Sequence, residues 1–247
     1  MKFLDILREG VRKTDGEYRL EKEDNYIDDI VSLSNKLSYV KDVNGDLVMI
    51  GLPLSQEEKS KFLFDLKTNK VDKKIVNELF DKIIENLSND SNLSSIEYVL
   101  TPKSTSNVLK LFLNKLKKKY PNLITINDMF VKNSFDKIII DVDAMKADNR
   151  PSKYIKKLFK RFEKVKNNIE TYGSKDFKIR PFNQYERKYI KNFIKINEKY
   201  YGKLEDMINK KVLVVDDVFT TGRTLNEMKL LLKDVVTDKV SLFSLFI

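Results

Sequence analysis

The sequence predicts an α/β fold built on a parallel sheet, and three observations predict it. Short apolar runs alternate with longer amphipathic stretches through residues 96–247, the rhythm of strands alternating with helices. The run Val212-Leu213-Val214-Val215 is apolar without alternation, as a strand buried on both faces requires. It ends in Asp216 and Asp217, and a Thr-Thr-Gly-Arg-Thr turn and a helical pattern follow. Parallel sheets present ligand sites at the carboxyl ends of their strands in that order.

The elements can be taken in turn. Residues 3–7 read as a short helix. Asp15-Gly16 and Asn44-Gly45 are hairpin turn signals, the second before a strand at 47–52. Residues 72–87 carry Ile75, Val76, Leu79, Phe80, Ile83, Ile84 and Leu87 on one helical face. A polar linker at 88–95 precedes a strand at 96–100, a loop at 101–105 and a helix at 106–119. Strands follow at 123–126 and 137–142, then a helix at 154–169, an irregular stretch at 171–181 and a helix at 185–200. The 212–215 strand, a helix at 225–236 and a strand at 240–247 finish the chain. Domain organisation follows as an appendage over 1–90 and a core over 91–247, with a basic insertion at about 133–210.

The segment 212–225 carries the chemistry. Gly222 permits a tight backbone path, and Thr220, Thr221 and Thr224 supply hydroxyls beside a helix N-terminus, which favours phosphate. Two carboxylates next to such a cradle suit a ligand with sugar hydroxyls at one end and phosphate at the other. A Walker B strand also ends in acids, but it needs a partner GxxxxGK[ST] loop. The seven glycines offer neither that spacing nor GxGxxG.

This segment resembles the phosphoribosyl-pyrophosphate (PRPP) signature of type I phosphoribosyltransferases, over its whole length: apolar strand, acidic pair, two spacers, Thr-Thr-Gly-x-Thr. The resemblance implies a Rossmann-like parallel core with an N-terminal appendage and an inserted basic hood. It implies PRPP binding by Asp216, Asp217, Thr220, Thr221, Gly222, Arg223 and Thr224, with the two aspartates catalytic. It places pyrophosphate on the loop after the first core strand, at Thr101, Lys103, Ser104 and Thr105, with Lys132 like the family's hood-loop lysine. Magnesium is implied through the ligand, without direct protein ligands. Within the family, Glu186, Arg187, Asn192 and Phe193 sit similarly to a Glu-Arg pair and an Asn–aromatic ending in ComF-type phosphoribosyltransferases. The four-cysteine zinc ribbon that often opens those proteins is ruled out here, since the chain has no cysteine. Where 6-oxopurine enzymes of the family carry an aspartate, this chain has Thr220, which disfavours hypoxanthine- or guanine-type acceptors.

Composition excludes whole classes. With no Cys and no His, disulfides, thiolate catalysis, a Ser-His-Asp triad and imidazole-bound metals are impossible, and any metal is a hard, oxygen-bound ion such as magnesium. No apolar run reaches the ~20 residues of a membrane span, and the first residues do not read as a secretory signal. The expectation is a cytoplasmic protein. The net charge of +10 is local: residues 146–211 hold 20 Lys+Arg against 8 Asp+Glu. Lys153, Lys156, Lys157, Lys160, Arg161 and Lys164 fall on one helical stripe. A solvated face, a surface for nucleic acid or another polyanion, and an electrostatic aid to capturing an anionic substrate all remain open. Asp141-Val142-Asp143 has the DxD form of haloacid-dehalogenase phosphatases or sugar transferases. The phosphatase pattern wants a Thr or Val soon after, and Ala144 and Met145 follow, so a solvated strand end is preferred.

Two functions follow. The first is Mg-dependent transfer of a 5-phosphoribosyl group from PRPP to an unidentified acceptor, releasing pyrophosphate. The second is a PRPP- or nucleotide-sensing, non-catalytic module that binds nucleic acid or a protein partner through its basic region. A homodimer is compatible with either.

Overall fold

The computed structural model describes residues 37–41, 45–52, 62, 64–66, 70–89, 95–104, 107–171, 177, 179, 181–219, 221–236 and 240–246. The helix expected at 3–7, the turn at Asp15-Gly16, and Thr105 and Thr220 of the expected phosphate loops lie outside the described residues.

In chain order the elements are β1 (Ser38–Lys41), β2 (Leu47–Leu52), α1 (Lys73–Asn89), β3 (Tyr98–Pro102), α2 (Val108–Lys119) and β4 (Ile124–Lys132). Then come β5 (Ile139–Ile140), α3 (Val142–Ala147), α4 (Ser152–Thr171), α5 (Gln184–Arg187), β6 (Ile190–Lys191) and β7 (Ile194–Ile196). The last three are β8 (Val212–Val218), α6 (Arg223–Leu232) and β9 (Val240–Phe246). Seven strands form one sheet in the order β1-β2-β9-β8-β3-β4-β7. The neighbours from β2 through β4 all pair parallel, while β1 and β7 pair antiparallel at the edges. The five parallel strands therefore share one carboxyl edge.

Apolar residues cover both faces of the sheet. Val212 and Val214 of β8 join one cluster with Leu158 and Phe162 of α4 and Leu225, Met228 and Leu232 of α6. Leu213 and Val215 join the other, with Leu79, Phe80, Ile83, Ile84 and Leu87 of α1 and Leu109, Phe112 and Leu116 of α2. Each such side chain, fully buried, contributes about 1.5–3 kcal/mol. The basic region is part of this core: Phe135, Phe162, Phe177 and Phe182 form a ring cluster with centroids 4.4 to 6.2 Å apart. Its lysines face outward from the same helix.

Two expectations change. Residues 185–200 are not one helix. After the four residues of α5 the chain forms β6 and β7, and β7 covers the edge of β4. Buried Ile190, Phe193, Ile194 and Ile196 satisfy a helical spacing as well as a broken strand. Asn192, at φ +59°, breaks the run, and the open edge of β4 supplies the hydrogen bonds. The strand expected at 137–142 shrinks to β5, because Asp141 caps α3, its carboxylate accepting the Ala144 N–H at 2.9 Å. Asp141 also pairs with Lys191, so it is a structural cap, while Asp143 is solvent-exposed. The sheet includes strands from both sides of residue 90: β2 pairs with β9, and α1 packs on the same sheet as α2.

Gly51 makes the close packing of α1 on β2 possible. A Cβ there would lie 2.9 Å from Phe243 Cζ, 3.0 Å from Ile83 Cγ2 and 3.1 Å from the Leu245 carbonyl oxygen. Gly51→Ala should destabilise the fold by about 1–3 kcal/mol through overpacking. A lowered urea midpoint with unchanged m-value checks this, and an unchanged midpoint would show that the α1 contact is loose.

Candidate functional site

The site residues are brought together by strand register. Leu100 of β3 pairs with Val214 of β8, and Pro102 pairs with Phe130 of β4. Pro102 and Asp216 each lie two residues further along their strands, toward the same carboxyl edge. Lys132 lies two residues past Phe130, about 7 Å further out at ~3.3 Å per residue. The ends of β3, β4 and β8 thus meet at one edge.

Strand β8 continues to Val218, so its aspartates lie within the strand and project to opposite faces. Asp216 is 9% exposed and shares the α4–α6 face with Val212 and Val214; Asp217 is half-buried on the other. Asp216 Oδ1 accepts the backbone N–H of Asp217 at 2.9 Å, which fixes one carboxylate oxygen. The Phe219 N–H donates to the Phe246 carbonyl at 2.7 Å and anchors the turn.

The turn leads into α6 through Gly222, whose φ of +70° costs little without a Cβ. The first amides of a helix have no intrahelical acceptor, and the macrodipole adds positive potential there. Thr221 is buried and Thr224 half-buried beside them. That end of α6 can hold an anion.

Arg223 does not project freely to solvent. It is 7% exposed. Its guanidinium donates to the Ile190 carbonyl at 3.1 Å and pairs with Glu227 at 3.1 Å. Glu227 accepts the Asn192 N–H at 3.2 Å. Burial raises the Glu227 carboxyl above its ordinary range, and outweighs Arg223, the Asn192 amide and Lys191, which all lower it.

In the loop after β3, Thr101 is fully buried and its hydroxyl donates to Asn127 Oδ1 at 2.9 Å. Thr101 therefore supports the turn from below. The Lys103 N–H donates to the Phe130 carbonyl at 2.7 Å, its residue exposed, with Ser104 half-buried beside it. Lys132 is exposed at the end of β4.

The residues of the Glu-Arg and Asn–aromatic pattern are structural in their contacts. Glu186 is 2% exposed, closes a capping box with Asn183 and pairs with Arg161. Arg187 donates to the Phe182 carbonyl at 2.8 Å. Asn192 donates to the Lys137 carbonyl at 2.7 Å, and Phe193 is buried. The pairing of Arg161 removes it from the basic stripe, leaving Lys153, Lys156, Lys157, Lys160 and Lys164 exposed on α4.

A cavity of about 560 Å³ lies at the opposite, amino-terminal end of the sheet, lined by Leu87, Tyr98, Leu116, Tyr120, Leu123 and Leu213 among others. It is remote from Asp216 along β8, and no residue of the expected site lines it.

Residues 181–246 match the phosphoribosyl transferase domain. The matched stretch runs from just before α5 to the end of β9 and contains the whole acidic and threonine-rich segment. It supports a phosphoribosyltransferase-type domain in this part of the chain, and the largely parallel sheet fits such a core. No curated protein matches the chain. Among the described residues, no helix is long and apolar enough to cross a membrane.

Two contributors escape a sequence reading. Glu227 stands four residues after Arg223, a spacing that ordinarily reads as an exposed helical pair. Asn127 has no local signal, since its role depends on β4 lying beside β3.

A pH dependence follows from Glu227. Its folded-state pKa is raised above the ordinary glutamate value of 4.5, so the folded chain holds that proton more tightly than the unfolded one. This contribution to stability is complete below about 4.5 and is lost as pH rises through the folded value. Glu227→Gln, which cannot titrate, should flatten the fall in stability above that pH. Urea denaturation across a pH series checks it; equal slopes in both proteins would remove Glu227 as the source.

Proposed function

We propose that the chain transfers a 5-phosphoribosyl group from PRPP to an acceptor and releases pyrophosphate. The observation that carries this reading is the convergence at one sheet edge of Asp216 and Asp217, the amino end of α6 and the loop after β3. Asp216 and Asp217 accept hydrogen bonds from the ribose hydroxyls and favour the positive charge that develops on the ring. The amides and hydroxyls of Thr221 to Thr224, together with Thr220, hold the 5-phosphate. Lys103, Ser104 and Thr105, with Lys132 above them, hold the pyrophosphate. The bond from the anomeric carbon to pyrophosphate breaks, and pyrophosphate leaves with the electron pair. The acceptor forms the new bond and gives its proton to solvent.

The oxygen-only donors at this edge fit magnesium, in a chain without His or Cys. Magnesium carried by the ligand would neutralise charge on the leaving group.

A ligand at ~100 times its dissociation constant stabilises a fold by about 2.7 kcal/mol. PRPP with magnesium should raise the melting temperature accordingly. Asp216→Asn combined with Asp217→Asn should abolish the shift while the protein stays folded. Normal PRPP binding by that double variant sinks the assignment. Pyrophosphate release that depends on an added acceptor then separates an enzyme from a sensor.

The five exposed lysines of α4 favour a second reading, a PRPP- or nucleotide-sensing module that contacts a polyanion. Such binding acts through phosphates, and each neutralised phosphate adds about −0.9 to the log–log salt slope on duplex DNA. Lys156→Glu, Lys160→Glu and Lys164→Glu together should remove retention of DNA or RNA at ~50 mM salt and leave PRPP binding intact. No retention by the wild-type chain would reduce the stripe to a solvated face or an aid to substrate capture.

A further inference from the structure

Two segments expected to hold anions hang on one short stretch of chain, residues 190–193. On one side is the start of α6. Arg223 donates to the Ile190 carbonyl, and Glu227 accepts the Asn192 N–H, so the first two turns of the helix grip this stretch at two points. On the other side is the end of β4. The Asn133 N–H donates to the Phe193 carbonyl at 3.0 Å, and the Asn133 side chain donates to the Asn192 carbonyl at 3.1 Å. Asn133 directly follows Lys132. Asn192 can join both sides because its φ of +59° turns its N–H and carbonyl to different neighbours.

The grip is buried and charged. Arg223 and Glu227 are each 8% exposed in their side chains. Lys191 pairs with Asp141 next to them, and Arg223 and Lys191 both act electrostatically on Asp141. Hydrogen bonds to ionised groups are about twice as strong as neutral ones, and losing one partner leaves a buried charge uncompensated. The join therefore has one favourable arrangement, not a continuum.

We propose that the Arg223–Glu227 pair is a positioning device. It locks the phosphate-binding turn and the Lys132 strand end to residues 190–193, so that the two anion subsites keep a fixed separation. The Arg223 guanidinium acts through the Ile190 carbonyl and Glu227, and its side chain does not touch the ligand. This proposal rests on the phosphoribosyl-transfer reading for its ligands but not for its mechanical content. A donor of fixed length, with phosphate at one end and pyrophosphate at the other, gains from two subsites that cannot drift. An error of 1 Å in such placement is enough to cost about 100-fold in rate.

The test uses the full chain with Arg223→Met, Glu227→Gln and the double variant, and two arms. The first arm is hydrogen exchange without ligand. Exchange should quicken together at 190–194, at 221–224 and at 131–133, while β2, β9 and α1 keep their protection. Unchanged exchange at 131–133 overturns the proposal whatever the chain binds. The second arm measures dissociation constants for ribose 5-phosphate and for magnesium pyrophosphate. Both ligands should weaken by about tenfold in each single variant, with the double variant no worse than either, as for residues that act as one unit. If only ribose 5-phosphate weakens, and only in Arg223→Met, then Arg223 is a direct phosphate ligand and the proposal fails. If melting temperatures fall while both constants hold, the pair serves stability alone and the proposal also fails. Should Arg223→Met not fold, Arg223→Lys replaces it. Lysine is a point donor in place of a fork, so it cannot hold Ile190 and Glu227 at once, and the same co-ordinated quickening is expected. Wild-type-like exchange in Arg223→Lys overturns the proposal. Failure of the phosphoribosyl-transfer reading looks different: the wild-type chain would bind neither ligand, with the linked exchange behaviour intact.

Discussion

Strand β8 is the constraint on which the rest of the structure depends. It lies between β9 and β3, with hydrogen bonds on both edges, and its apolar residues enter both faces of the core. A backbone so enclosed cannot slip by a residue without turning every side chain to the wrong face. The level at which Asp216 and Asp217 leave the core is therefore fixed by Val212 to Val215, far from any ligand. The same parallel pairing sets β3 and β4 beside it, so the loop after β3 and the end of β4 arrive at the same edge.

The basic region has two faces with different tasks. Inward, it closes the core with Leu158, Phe162, Phe177 and Phe182. Outward, it leaves a row of lysines in water. Its internal charges are tied down: Arg161 to buried Glu186, Lys191 to Asp141, Lys188 to Asp148. The Lys188 ammonium and the Tyr189 hydroxyl hold Asp148 below the usual carboxylate range, and Lys191 and the Ala144 amide do the same for Asp141. These contacts make the region a rigid support for the sheet edge, beside which α6 begins.

Legibility in the sequence followed locality. The amphipathic faces of α1, α2 and α4 and the hairpin at Gly45 could be read because they depend on residues a few positions apart. So could the turn at Gly222, where the glycine, the threonines and the acidic pair are contiguous. The stretch 185–200 misled because Ile190, Phe193, Ile194 and Ile196 fit two periodicities, and the decision was made by the open edge of β4, which is more than fifty residues away. The place of Arg223 in the turn was equally local, but the partners of its side chain were not. Its burial against Ile190 and Glu227 depends on a segment that is remote in sequence.

What the sequence by itself determined, then, is the α/β class, the strand that carries Asp216 and Asp217, the turn beside them, and the local excess of positive charge. Each is a property of consecutive residues, through apolar run, glycine conformation and charge density. Only the tertiary structure decided which of those residues face solvent and which act as supports. It turned Thr101 under its loop toward Asn127, paired Arg161 with Glu186, and joined the start of α6 to the end of β4 through Asn192. Buried polar groups must find partners, and the partners available depend on which strands lie side by side, which no single stretch of this chain specifies.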